Sequence, residues 1–300
     1  MQVTNGIKCK TAVFVVLLFL TVILFLTVFS GCSQQKVAHI IVLAGQSNCE
    51  GVSSCAELKK YVSEEKYSLY TNGFDNVKIV LNTNGVTENE FVNCKLGQGT
   101  SADYFGIEIG IADYLSEKYP DEDFYFVKRA HGGTTIYPFW NAPESESADC
   151  GMYFKALLEK TDSVIDTLTQ QGKKVQVEAL CWMQGESDAV SAENAETYYK
   201  YLSNMATFFR QKYREYSTDE IKFVDGGISD YEPAEVYYNE EINNIKSSFS
   251  NTSDSNFYID TAALNLTCHL EPKFNPDLIH YDSYSMLILG RNFGKYAYGK

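Results

Sequence analysis

The reading of the fold turns on IVLAGQSNCEG, residues 41–51. Apolar residues run unbroken into Gly45, and Gln46, Ser47 and Asn48 follow at once. A wholly apolar run closed by a glycine reads as a strand buried on both faces, the kind that parallel sheets contain. Such a strand delivers Ser47 to the edge of a sheet. Ser47 is then either a nucleophile or a turn residue, and the rest of the chain has to decide.

Downstream, strand and helix patterns alternate. Strands are predicted over residues 37–44, 77–81, 123–130, 175–183, 221–225 and 257–260, and helices over 104–118, 153–171, 192–216, 234–249 and 283–293. Phe154, Leu157, Leu158, Ile165 and Leu168 share one face of the second helix. Alternation of this kind implies βαβ units and an α/β fold whose parallel sheet is covered on both sides. The longest irregular stretches, 45–65, 82–103 and 132–151, leave strands at or near their carboxyl ends, where open α/β sheets bind ligands. No repeat or linker divides residues 37–300, which read as one domain.

Residues 1–36 read differently. Lys8 and Lys10 precede an uncharged, mainly apolar run of 19 residues, 11–29, followed by Ser30-Gly31-Cys32 and a polar stretch. That is the pattern of a secretory signal. Phe29-Ser30-Gly31-Cys32 is similar to a bacterial lipobox, with Phe29 where leucine is usual. The run also approaches the ~20 residues that span a bilayer. A lipid-anchored protein, a retained signal-anchor and a plainly secreted protein all fit, and each puts residues 37–300 outside the cytoplasm, the first two at the membrane.

The net charge is −14, and residues 1–31 hold two lysines and no acid, so the remainder is more acidic still. Such a field repels nucleic acid and anionic membrane surfaces. Beyond Cys9 and Cys32 there are six cysteines: Cys49, Cys55, Cys94, Cys150, Cys181 and Cys268. Export permits disulfides among them, with the pairing open. Cys181, inside an apolar strand, is expected as a buried thiol. No cysteine or histidine spacing suggests a zinc site.

A serine hydroxyl needs a base to become a nucleophile. Four histidines are available: His39, His131, His269 and His280. His39 falls inside the first strand, and His131 follows the third, beside Gly132-Gly133. His280 ends Asp277-Leu278-Ile279-His280, a spacing at which one turn can fold the carboxylate back onto its own imidazole and leave Nε2 for the serine. Alternatively the segment is a polar turn before the last helix. The strand at 175–183 ends in Gln184-Gly185-Glu186-Ser187-Asp188. A neutral amide at a strand's end suits an oxyanion donor. Glu186 and Asp188 could instead be a glycosidase pair, or simply begin a loop.

Gly45-Gln46-Ser47-Asn48, Trp182-Met183-Gln184-Gly185-Glu186-Ser187-Asp188 and Asp277-Leu278-Ile279-His280, in that order, together resemble the sialate O-acetylesterase and acetylxylan esterase group of SGNH hydrolases. His131-Gly132-Gly133-Thr134 resembles a further segment of the group. Cys49, Ile107 and His131 depart from its pattern. The resemblance implies a three-layer α/β/α fold with a five-stranded parallel sheet, flavodoxin-like in its layering. It implies a serine esterase with Ser47 as nucleophile, His280 as base and Asp277 as its orienter. The oxyanion hole would combine the Ser47 N–H, the Gln184 amide and a glycine N–H. Gly97, Gly99 and Gly106 lie in the right loop, and Gly99, before the helix, fits best. An acetylated polysaccharide or sialic acid would be the substrate, with no metal or cofactor. Another short acyl ester, or a non-catalytic glycan-binding surface lipoprotein, are the competing readings. The sugar and the oligomeric state stay open. The second glycine of Gly-x-Ser-x-Gly is missing after Ser47, which argues against an α/β-hydrolase elbow.

Overall fold

In the computed structural model, which describes residues 36–144, 149–231 and 237–299, the opening apolar run forms β1 (Val37–Gly45), the middle strand of a seven-stranded sheet. Of the stretch expected as a leader or anchor, residues 1–36, all but Lys36 lie outside the described residues. Along β1 the side chains go alternately to two cores: Ile40, Val42 and Ala44 to one, Ile41 and Leu43 to the other. Neither face meets water, so β1 needs no polar alternation.

The other strands are β2 (Ser53–Ser54), β3 (Val77–Asn82), β4 (Thr87–Asn93), β5 (Tyr104–Phe105), β6 (Asp123–Ala130), β7 (Lys174–Met183), β8 (Lys222–Gly226) and β9 (Asn256–Ile259). The sheet runs β4-β3-β6-β1-β7-β8-β9, parallel except for β4, which pairs antiparallel with β3 at one edge. β2 and β5 form a separate antiparallel pair. The helices are α1 (Ser47–Glu50), α2 (Cys55–Leu58), α3 (Glu64–Asn72), α4 (Ile107–Lys118), α5 (Ile136–Phe139), α6 (Met152–Gln170), α7 (Ala192–Tyr213), α8 (Asn239–Ser250) and α9 (Ser283–Tyr298). Helices α6, α7 and α8 fill the core on the Ile40 face, and α4 and α9 the core on the Ile41 face, giving three layers.

The layers are those expected; the strand count is not five but seven. β9 extends the parallel sheet at one edge and the hairpin partner β4 extends the other. The parallel strands alone, numbered in chain order, lie 2-3-1-4-5-6, which is not the flavodoxin order 2-1-3-4-5. The helix expected from residue 104 begins at Ile107, because Tyr104 and Phe105 pair with β2. The stretch expected to be irregular from 45 to 65 holds α1 and α2, and the expected 234–249 helix is described as α8 from Asn239. Among the described residues no helix is long and apolar enough to cross a membrane.

Two glycine contacts set the geometry near the carboxyl edge. Gly45 has φ +147°, and a Cβ there would lie 1.9 Å from the Met183 carbonyl oxygen, so only glycine lets the chain leave β1 this way. Gly110 of α4 and Gly290 of α9 face each other, and a Cβ on Gly290 would lie 2.4 Å from the Ile107 carbonyl oxygen. The two helices therefore cross backbone against backbone. That crossing fixes α9, and the segment immediately before α9 carries His280.

Candidate active site

Register aligns the carboxyl ends of three strands: Gly45 lies beside Ala130 of β6 and Met183 of β7. The Gln46 N–H continues the ladder one step, donating to the Met183 carbonyl at 2.9 Å. The chain then turns into α1, so Ser47 emerges at the sheet edge as the first helical residue. At that position its N–H has no intrahelical acceptor.

The segment before α9 meets Ser47 from the other side. His280 Nε2 lies 2.8 Å from Ser47 Oγ, and His280 Nδ1 lies 2.5 Å from Asp277 Oδ2. Asp277 Oδ1 also accepts the N–H groups of Ile279 and His280, both at 2.9 Å. The turn passes through Leu278 at φ +64°, a left-handed conformation that costs a non-glycine residue about 1–2 kcal/mol. The three bonds to Asp277 hold it there. Burial alone would raise the Asp277 carboxyl, but those bonds outweigh it and hold it down at about 2. Asp277 thus stays ionised and available to an imidazolium.

Beneath this triad lies a buried polar floor. Gln46 Oε1 accepts from the backbone N–H groups of Gly185 (3.4 Å) and Ser187 (3.2 Å). Glu50, 1% exposed, accepts from Gly132 N–H at 2.8 Å and Asn84 N–H at 2.5 Å, tying the loops after β6 and β3 to α1. Lys128 and Glu108, both fully buried, pair at 2.8 Å; Lys128 also donates to the Gln98 carbonyl, and Glu108 accepts from Gly106 N–H. This pair anchors the 97–106 loop, whose Thr100 N–H donates to the Gly51 carbonyl at the end of α1. A cavity of about 520 Å3 opens against His280 and Asp277, lined also by Val52, Glu57, Tyr104 and Glu271.

The family profile described as "Carbohydrate esterase, sialic acid-specific acetylesterase" matches residues 37–298. The chain belongs to this carbohydrate esterase family. The esterase fold agrees with solved structures of low identity. A protein from Arabidopsis thaliana gives a TM-score of 0.61 at 14% identity, over 86% of this chain and 97% of the other. NanS gives 0.60 at 14%, over 88% and 97%. XAC1771, a carbohydrate acetylesterase from Xanthomonas citri, gives 0.56 at 14%, over 88% of this chain and 57% of its own. A search of curated protein sequences finds no match.

Within the esterase, two of the residues expected as oxyanion donors are engaged elsewhere. The Gly99 N–H donates to the Tyr104 carbonyl at 3.0 Å, and the alternative Gly106 N–H is held by Glu108. Gln184 is fully buried, and its amide nitrogen faces Asp188 Oδ2 (2.5 Å), the Thr134 carbonyl (2.9 Å) and Gln46 Oε1 (3.2 Å). An NH2 group has two hydrogens, so none is left to point at Ser47. Glu186 and Asp188 are also buried, at 5% and 1% exposure, Glu186 accepting from Asn48 and Asp188 from Gln184 and the Ile136 N–H. Burial pushes the Asp188 carboxyl up to about 7, against the opposing bonds from Gln184 and the Ile136 N–H. His131, the rival base, stacks on Tyr153 at 4.5 Å between ring centroids. All six cysteines in the described residues are free thiols, five of them buried. Burial pushes the Cys55 thiol up to about 11 and raises Cys49 further. Neither is a thiolate at neutral pH.

The residues that sequence reasoning missed are Glu50, Asn48 and Lys128. A lysine within the strand DFYFVKRA was the one available signal. The others depend on partners far away in the chain.

Proposed function

We propose that the esterase removes acetyl groups from carbohydrate hydroxyls by serine catalysis. The observation that carries this reading is the continuous Ser47–His280–Asp277 hydrogen-bond chain, 2.8 and 2.5 Å long. Ser47 Oγ attacks the acetyl carbonyl carbon while His280 Nε2 takes its proton, and Asp277 steadies the imidazolium. The oxyanion is met by the Ser47 N–H. The tetrahedral intermediate collapses, the C–O bond to the sugar breaks, and His280 returns the proton to the departing sugar oxygen. Water attacks the acetyl-serine by the same route, releasing acetate and restoring Ser47. Gly99 and Gln184, with their N–H groups committed, build the loop and the floor of the site.

The cavity beside His280 argues for the substrate. Glu57, Glu271 and Asp277 line it. Lys60, which does not line it, is paired with Glu57 at 2.5 Å. A wall of carboxylates opposes a substrate carboxylate and accepts a neutral polyol, so we assign a neutral acetylated glycan over an O-acetylated sialic acid. The enzyme acts outside the cytoplasm, delivered by the leader at residues 1–36, with residues 37–300 as the catalytic domain.

The test is labelling with a serine-directed fluorophosphonate alongside acetate release from acetylated xylo-oligosaccharides. Adduct on Ser47, lost in Ser47→Ala, is the expected result. Acetate release that survives Ser47→Ala would sink the serine mechanism.

A further inference from the structure

Asp277 and His280 belong to one turn of four residues, and their hydrogen bonds are internal to it. Nothing in that turn sets how far His280 stands from Ser47. The seating of α9 places the turn as a whole, and Ser53 Oγ donates to the Tyr281 carbonyl at 2.7 Å. The contact made from the nucleophile's own helix comes from Asn48, the residue next to Ser47. Its carboxamide is fully buried and grips the backbone on both sides of His280. Nδ2 donates to the Ile279 carbonyl at 3.1 Å, and Oδ1 accepts the Tyr281 N–H at 3.2 Å. A single rigid side chain thus ties the nucleophile's own helix to the two peptide units that flank the base.

The amide is held in the right orientation. Nδ2 also donates to Glu186 Oε1 at 2.6 Å, so the contacts to Glu186, the Ile279 carbonyl and the Tyr281 N–H all agree on one orientation of the carboxamide. Glu186 follows β7, the neighbour of β1, so its position is fixed by the sheet. Its other oxygen, Oε2, is buried with no partner among the described residues. A carboxylate kept in so unfavourable a setting is explained by what its first oxygen orients.

We propose, resting on the serine-esterase reading, that Asn48 is the positioning residue that sets the Ser47–His280 distance, and that Glu186 influences the reaction only through Asn48. A displacement near 1 Å costs a catalytic contact about 100-fold. Asn48→Ala should therefore lower kcat on an acetylated xylo-oligosaccharide by about 100-fold, with KM within about twofold. The downfield proton NMR signal of the His280 Nδ1–H···Asp277 bond should persist in this variant, because that bond is local to the turn. A general loss of structure would remove it.

Glu186→Ala should reproduce Asn48→Ala. Glu186→Gln, whose carbonyl can still accept from Nδ2, should retain most of the activity. The Asn48→Ala/Glu186→Ala double variant should be no slower than either single, because both act through one contact. Near wild-type kcat in Asn48→Ala, loss of the downfield signal, or multiplying effects in the double variant would each overturn the proposal. Should Asn48→Ala fail to fold, equal activities of Glu186→Gln and Glu186→Ala would overturn it alone. A wild-type protein that neither releases acetate nor labels at Ser47 sinks the esterase reading itself, a separate failure.

Discussion

At the scale of single residues, the two histidines at the carboxyl edge have different jobs because their partners differ. His280 is bonded on both ring nitrogens, to Ser47 and to Asp277, whereas His131 lies flat on Tyr153. His280→Ala should lower kcat by about 10³-fold or more, while His131→Ala should stay within about tenfold. Acetate release by the two variants measures this, and the opposite ranking would move the base to His131. Asp188 permits a second prediction, on stability. Its folded carboxyl is raised to about 7, above the ~3.9 of an unfolded chain. The folded state therefore binds the proton more tightly. The favourable contribution is full below about pH 4 and is lost as pH rises through about 7. Asp188→Asn should flatten the dependence of Tm on pH across that window. A wild-type Tm that rises from pH 4 to 7 by the same amount in both proteins would contradict it.

At the scale of elements, the site depends on how α9 is seated. The α4–α9 crossing has Gly110 against Gly290 with no room for a methyl group. Gly290→Ala should cost about 1–3 kcal/mol of overpacking and lower Tm by several degrees. It should also lower kcat, because the shifted helix carries the His280 turn with it. Calorimetry and acetate release on the same variant check both halves. Elements also show what the sequence makes legible. β1 is nearly all apolar and buried on both faces, and β6 and β7 each carry an apolar, buried stretch, Phe124–Val127 and Ala179–Met183. Such stretches announce themselves whatever surrounds them. β4 (TENEFVN) does not, because an edge strand bonds on one side only and tolerates charge on the other. That Ser47, Asp277 and His280 come together was readable, since Ser47 follows a recognisable strand and the other two precede a helix. Asn48 was not: its partners Glu186 and Ile279 lie 138 and 231 positions along the chain. Gly99 reads as a free donor in sequence, and only the β2–β5 pairing reveals that its N–H is taken by Tyr104.

At the scale of the whole molecule, charge and site agree in sign. The chain carries −14, and the cavity beside the triad is walled by carboxylates. A diffusing anion meets repulsion first from the general field and then from Glu57 and Glu271, whereas a neutral sugar meets neither. Salt separates these cases, because exposed charges farther apart than a Debye length are largely screened, about 30 Å at 0.01 M and about 8 Å at 0.15 M. For an O-acetylated sialic acid, kcat/KM should climb several-fold across that range of salt, as the barrier to encounter is screened. For a neutral acetylated xylo-oligosaccharide it should stay flat. Glu57→Gln/Glu271→Gln should raise the low-salt rate on the sialic acid and leave the neutral substrate unaffected. A sialic acid rate that is higher than the neutral one at low salt, and falls as salt is added, would mean that cationic groups recognise the substrate carboxylate, and the neutral-glycan assignment would be wrong.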